Sequence, residues 1–330
     1  MNDNIITNSA KAWMLAARPK TLTGAIIPVM LAGALAFHDG AFRTNDLIET
    51  TGAYSNATAG LRISLWVCCL LFACLMQVAA NFINDLYDYL KGTDREDRLG
   101  PERACAQGWI TPNAMKLGIA VVIILACAVG LTAVLLSYKY LPWSGWEFVL
   151  LGALCVMFAF LYTTRLSYLG WGDVLVLVFF GFVPVCGTYY LLMLTVTPLC
   201  VLVSLASGLA IDALLMINNY RDRNEDRISG KRTLVVRYGE KFGLYAYLAI
   251  GLIVTLLMIV IFIVMPKEAP NSLLSGFFFG FFWIYLSLHY RTWRRMERIH
   301  QGKALNKILG ETSRNMLVMA IILSITLMLG

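Results

Sequence analysis

The chain has 330 residues, 59% of them apolar and only 14% charged, with a formal net charge of +7. That balance lies above the apolar share and below the charged share of soluble domains, which excludes an ordinary water-soluble enzyme. The basic residues are spread over short boundary segments with no compact basic domain, which argues against nucleic acid as a partner.

In chain order, residues 1–20 are polar with an apolar patch, Trp13, Met14 and Leu15, beside Lys11 and Arg18. This pattern predicts a short interfacial helix on the cytoplasmic leaflet. The first apolar run lacks a small-residue cleavage site, so it reads as a span and not as a cleavable signal. Segments long enough to cross a bilayer fall at roughly 21–37, 62–84, 114–137, 146–164, 173–193, 197–217, 243–265, 272–290 and 313–329. The prediction is an all-α polytopic membrane protein of about nine helices, built as a single domain over 1–330. Runs such as Val121-Val122-Ile123-Ile124-Leu125 are continuous, whereas strands of a membrane barrel alternate apolar and polar residues. The loop from about 38 to 61 holds Asn56-Ala57-Thr58, formally a glycosylation acceptor.

Among Lys and Arg, only Arg43, Arg62, Lys139 and Lys267 fall on one set of alternate boundaries, leaving 23 of the 27 on the other. The positive-inside rule makes the richer set cytoplasmic, which places the N-terminus inside and the C-terminus outside. The eight cysteines lie mostly within apolar spans without a C-x-x-C pair and read as buried hydrophobes. His38, His289 and His300 are too scattered for a metal site.

Two polar clusters stand at cytoplasmic span ends: Asn81, Asn84, Asp85 and Asp88, followed by Asp94 and Asp97; and Asn218, Asn219 and Asp222, followed by Glu225 and Asp226. If each helix continues past the hydrocarbon, spacings of three and four put each cluster on one stripe. Carboxylates at that spacing repel, and oxygen-only ligands suit Mg²⁺, which usually binds a few carboxylates together with substrate phosphates. Polar helix ends paired with neighbouring arginines are the alternative reading. Lys91, Arg103, Lys231 and Arg232 lie within a few turns of the acids, and such cations grip phosphate oxygens that a metal leaves uncovered. Tyr87, Tyr89, Tyr162, Tyr168 and Tyr220 offer π faces to an allylic cation or form an interfacial aromatic belt.

The run Asn84-Asp85-x-x-Asp88-x-x-x-Gly92-x-Asp94, together with Asp222-x-x-x-Asp226 followed by Gly230-Lys231-Arg232-Thr233, resembles the UbiA-type intramembrane prenyltransferases. Trp13-x-x-x-Ala17-Arg18-Pro19-Lys20-Thr21-Leu22, Gly100-Pro101-x-Arg103 and Asn218-Asn219-Tyr220-Arg221-Asp222 are similar to the 1,4-dihydroxy-2-naphthoate polyprenyltransferase branch of that family. Gly92, where the wider family places another acid, points the same way. The stretch Thr163 to Gly170 departs from the proline-containing segment expected there.

The resemblance implies helices around a central apolar cavity capped by cytoplasmic acidic loops, in a bacterial cytoplasmic membrane. It implies that Asn81, Asn84, Asp85 and Asp88 hold one Mg²⁺ with Asp94 assisting, and that Asp222 and Asp226, with Asn218 or Asn219, hold another. It makes Lys20, Arg103, Lys231 and Arg232 diphosphate contacts. The implied substrates are a polyprenyl diphosphate and 1,4-dihydroxy-2-naphthoate, joined with loss of CO₂ and diphosphate. Asp212, two turns inside the sixth span on the face of Asn219, is a candidate cavity-lining residue. Rival readings are another aromatic acceptor, such as 4-hydroxybenzoate or homogentisate, and an ion-coupled transporter. The second expects acids near mid-membrane, whereas most here stand at one surface.

Overall fold

The computed structural model describes residues 5–42, 58–92, 99–266 and 272–329, and among these all regular structure is helical. The chain opens with α1 (Ala10–Ala17), whose N-terminus is capped by the Ser9 hydroxyl accepting the Ala12 N–H. Arg18, in the left-handed region at φ 52°, ends it. A tight turn over Pro19–Thr21 then leads into α2 (Leu22–His38). Next come α3 (Ala59–Leu90), α4 (Pro112–Ser137) and α5 (Trp146–Leu161), with Thr58 and Thr111 as N-caps of α3 and α4. A π-helical turn over Tyr162–Leu166 joins α5 to the short α6 (Ser167–Leu169). After it, α7 (Gly172–Leu177) and α8 (Val183–Met193) form one continuous stretch through a second π segment, Val178–Phe182.

The central helix is α9 (Pro198–Arg221). It is followed by two short helices, α10 (Arg223–Ile228) and α11 (Leu234–Tyr238), and by three long ones, α12 (Glu240–Val264), α13 (Ser272–Ile299) and α14 (Leu305–Leu329).

Seven stretches of the described residues are long and apolar enough to cross a membrane: Ala10–His38, Ala59–Leu90, Pro112–Ser137, Gly172–Met193, Pro198–Arg221, Glu240–Val264 and Leu305–Leu329. The other two expected spans coincide in position with α5, which has only 16 residues, and α13, whose second half carries Arg291, Arg294, Arg295 and Arg298. By length and composition alone, seven spans thus qualify among the described residues, and α5 and α13 occupy the positions of the other two expected.

The main core is built from α2, α8, α9, α12 and α14, with Leu31, Val185, Val203, Ile217, Val254 and Met319 fully or almost fully buried. By contrast, α4 turns Leu117, Val121, Ile124, Leu131 and Leu135 outward. A stripe of that kind is stable against hydrocarbon but not against water. A second, smaller core lies at the polar end, where Phe82, Ile83 and Leu86 of α3 meet Ala12 and Ala16 of α1, Ala104, Cys105, and Met115 of α4. The Trp13 ring packs 5.3 Å from Phe82 and against Gly118, where a Cβ would fall 2.5 Å from the indole. Thus α1 lies against the protein through Ala12, Trp13 and Ala16, while Met14 and Leu15 of the expected apolar patch stay exposed.

Candidate active site

The polar ends of α3 and α9 emerge on the same side of the bundle, and the loops that follow them fold back over both ends. On α3, Asn81 donates to the Ala17 carbonyl and to the Thr21 hydroxyl, each at 2.9 Å, fixing the α1–α2 turn to the helix. One turn on, Asn84 accepts from the Thr163 hydroxyl on the first π segment. Asp85 is 1% exposed and accepts the Ala104 and Cys105 backbone N–H groups at 2.8 Å, with the Arg18 guanidinium 3.9 Å away. The carboxylate thereby pins the segment that carries Arg103, and each of its oxygens keeps a further acceptor position. Asp88 pairs with Arg103 at 2.5 Å. Asp94, Asp97, Arg95 and Arg98 lie outside the described residues.

At the end of α9, Asn218 donates back to the Leu214 carbonyl, and Asn219 is buried. Arg221 grips Asp222 with two hydrogen bonds of 2.6 Å and donates to Asn306 at 2.8 Å; Asn306 in turn donates to the Leu99 carbonyl. The start of α14 is thus stitched to both acidic ends, a role invisible in the sequence. Asp226 on α10 is buried and faces Lys231 at 3.3 Å.

The two halves meet at Tyr168. The ammonium groups of Lys91 and Lys231 stand 4.2 and 5.5 Å from its ring centroid, within cation–π range. Gly170 makes this possible. At φ +82°, a Cβ there would fall 2.2 Å from the Arg232 carbonyl oxygen, a contact only glycine avoids. The Tyr168 carbonyl accepts the Arg232 N–H at 2.9 Å and the Leu169 carbonyl accepts from Arg237 at 2.6 Å, so segment 168–170 is zipped to segment 231–237. Lys20 and the Arg232 side chain are exposed at the rim.

Burial pushes the Asp226 carboxyl above the usual carboxylate range, with Lys231 opposing the shift. Burial also works against the Lys231 charge, but Asp226 and Asp88 more than offset it and hold its ammonium above the ordinary lysine value. Lys91 lies below that value, because burial outweighs the attraction of Asp88.

The expected stripes of acids therefore exist, but they are interleaved with bases. Asp88 turns to Arg103, Asp222 to Arg221 and Asp226 to Lys231, since an opposite charge within 4 Å stabilises a partly buried carboxylate. Among the described residues no three acidic, histidine or cysteine side chains converge on one point. The donor set is nonetheless of the kind Mg²⁺ takes, since it is made of carboxylate and amide oxygens alone. Carboxylates that hold metals are ordinarily hydrogen-bonded from behind, as Asp85 is here.

A family model described as the UbiA prenyltransferase family matches residues 47–307. The chain belongs to that family. This UbiA prenyltransferase is 37% identical over 233 residues to the 1,4-dihydroxy-2-naphthoate octaprenyltransferase of Escherichia coli (strain K12), covering 70% of this chain and 69% of the relative. It is 29% identical over 315 residues to the enzyme of the same name from Mycobacterium leprae (strain TN), covering 94% and 93%. Its fold matches a UbiA homolog from Archaeoglobus fulgidus, solved bound to GPP and Mg²⁺, with a TM-score of 0.58 at 14% identity over 96% of this chain and 99% of the other. A structure of digeranylgeranylglyceryl phosphate synthase matches equally well in fold, with a TM-score of 0.58 at 15% identity over 96% and 98%. The UbiA chain is accordingly a prenyltransferase and a multi-pass membrane protein.

Proposed function

We propose that this UbiA prenyltransferase joins a polyprenyl group from its diphosphate to 1,4-dihydroxy-2-naphthoate, with loss of CO₂ and diphosphate, in a bacterial cytoplasmic membrane. The observation that carries the reading is the ring of alternating acids and bases around Tyr168, with Asp88, Arg103 and Lys91 from one motif and Asp226 and Lys231 from the other. A diphosphate carried by Mg²⁺ uses both, the acids for the metal and the bases for its own oxygens. Its oxygens take charge-assisted hydrogen bonds from Arg103, Lys91 and Lys231, and cations placed where charge develops favour departure of the leaving group. Asp85, Asp88, Asp222 and Asp226, with Asn81, Asn84, Asn218 and Asn219 nearby, are the residues that would hold Mg²⁺, and Lys20 and Arg232 would steer the diphosphate from the rim. When bound, the metal neutralises charge on the diphosphate as a Lewis acid. The Tyr162 ring would present a π face to an allylic cation, and the apolar helices keep water from it.

The acceptor is assigned from the relatives named 1,4-dihydroxy-2-naphthoate octaprenyltransferase, which span both the Escherichia coli and the Mycobacterium leprae chains. The Lys and Arg distribution supports the orientation, with both acidic ends in the cytoplasm. The test is competition. Membranes containing the protein receive a polyprenyl diphosphate with equal amounts of the naphthoate, 4-hydroxybenzoate and homogentisate, and products are identified by mass. The prenylated, decarboxylated naphthoate should dominate, and a prenylated benzoate as the main product would refute the acceptor assignment.

A further inference from the structure

Beneath the ring of acids and bases, two carboxylates face each other inside the bundle. Asp173 on α7 is 9% exposed and Asp212 on α9 is 5% exposed, and the Oδ1 atom of each is buried without a hydrogen-bond partner. The packing of the two helices brings them together. A Cβ on Gly181 would fall 2.6 Å from the Ser204 carbonyl oxygen, and one on Gly208 would fall 3.1 Å from the Leu177 Cα. These close approaches set an antiparallel register in which 181 meets 204 and 177 meets 208, and one further turn carries 173 to 212. Gly172 lies against Leu215 at the same level, with the Tyr162 hydroxyl 3.9 Å from where its Cβ would be. Tyr162 is also within electrostatic reach of Asp173, Asp212, Asp226 and Asp88, which links the pair to both acidic ends.

A buried acceptor without a donor is costly, and paired carboxylates within a membrane bundle by default mark a functional site. What each Oδ1 lacks is a hydrogen-bond donor. We propose that Asp173 and Asp212 are specificity-determining residues for the aromatic acceptor, each receiving a hydrogen bond from one hydroxyl of an aromatic diol. The inference rests on the prenyl-transfer reading above and deepens it. A ring held by both hydroxyls at this level would lie beside the Tyr162 hydroxyl. The site also discriminates, because an acceptor with one hydroxyl leaves a buried carboxylate unpaired.

The experiment uses the full-length protein in detergent, with Mg²⁺, farnesyl diphosphate and either 1,4-dihydroxy-2-naphthoate or its one-hydroxyl analogue 1-hydroxy-2-naphthoate. Wild type should show a KM for the analogue higher by about tenfold or more. Asp173→Asn and Asp212→Asn should each raise the diol KM and shrink the preference for the diol, while the farnesyl diphosphate KM stays at its wild-type value. The wild-type comparison of the two acceptors needs no substitution, so it stands even if a variant fails to fold. Equal KM values of wild type for the two acceptors, or variants in which both substrates weaken together or neither does, overturn the proposal. Wild type that prenylates 4-hydroxybenzoate but not the naphthoate instead contradicts the functional reading beneath it.

Discussion

At the level of single residues, the polar end of the molecule is ordered by what each charge can reach. Lys91 and Lys231 share the Tyr168 ring, yet their charges are held differently. Asp226 and Asp88 raise Lys231 above the ordinary lysine value, while burial lowers Lys91. A lysine lowered in the folded state loses its charge first as pH rises. Its charged form is disfavoured by folding, so its contribution to stability is present above the unfolded lysine pKa and is lost as pH falls through the lowered folded value. The alkaline limb of activity should therefore follow Lys91. Lys91→Arg, which keeps its charge throughout, is expected to move that limb to higher pH, as read from pH profiles of kcat/KM for the prenyl diphosphate. An unmoved limb assigns it to another group. The acids themselves were legible, because spacings of three and four along a helix are a sequence property. Their partners were not. Thr163 reaches Asn84 and Asn306 reaches Arg221 across about 80 residues of chain, and no local pattern encodes such contacts.

At the level of elements, two close approaches position the site. Segment 168–170 lies on segment 231–237 through Gly170, and the α7–α8 stretch lies on α9 through Gly181 and Gly208. Gly170→Ala places a methyl into the Arg232 carbonyl and adds left-handed strain, at an expected cost of ~1–3 kcal/mol. Because the clash sits where Tyr168 is held, activity should fall by about tenfold or more while the helices persist, since a small misplacement of a positioning group costs turnover without unfolding the chain. Circular dichroism and turnover measured together test this, and a fully active variant would contradict the proposed role of the contact. The departure of Thr163–Gly170 from the expected proline-containing stretch finds its physical form here, as a π-helical turn and a glycine hinge. The sequence predicted the helices from their apolar runs, but apolar composition does not say which helix is central. That α9 is buried while α4 turns Ile124 and Leu131 outward follows from packing alone.

At the level of the whole molecule, the separation of charge and apolar surface is the membrane's imprint. The basic residues at one set of boundaries predict a cytoplasmic N-terminus and an external C-terminus. Reporter fusions at the two ends should show activity on opposite sides of the membrane, and the same side for both would require a different number of spans. The central claim is that the two acidic ends act as one Mg²⁺-dependent diphosphate site. It is tested most directly by giving the purified protein a polyprenyl diphosphate and 1,4-dihydroxy-2-naphthoate and measuring the prenylated product by mass, with chelator and after Mg²⁺ is restored. The account predicts that product vanishes with chelator, returns with Mg²⁺, and falls at least about a hundredfold in Asp88→Asn and in Asp226→Asn. Product formation that survives the chelator, or near-normal turnover in both variants, would contradict it.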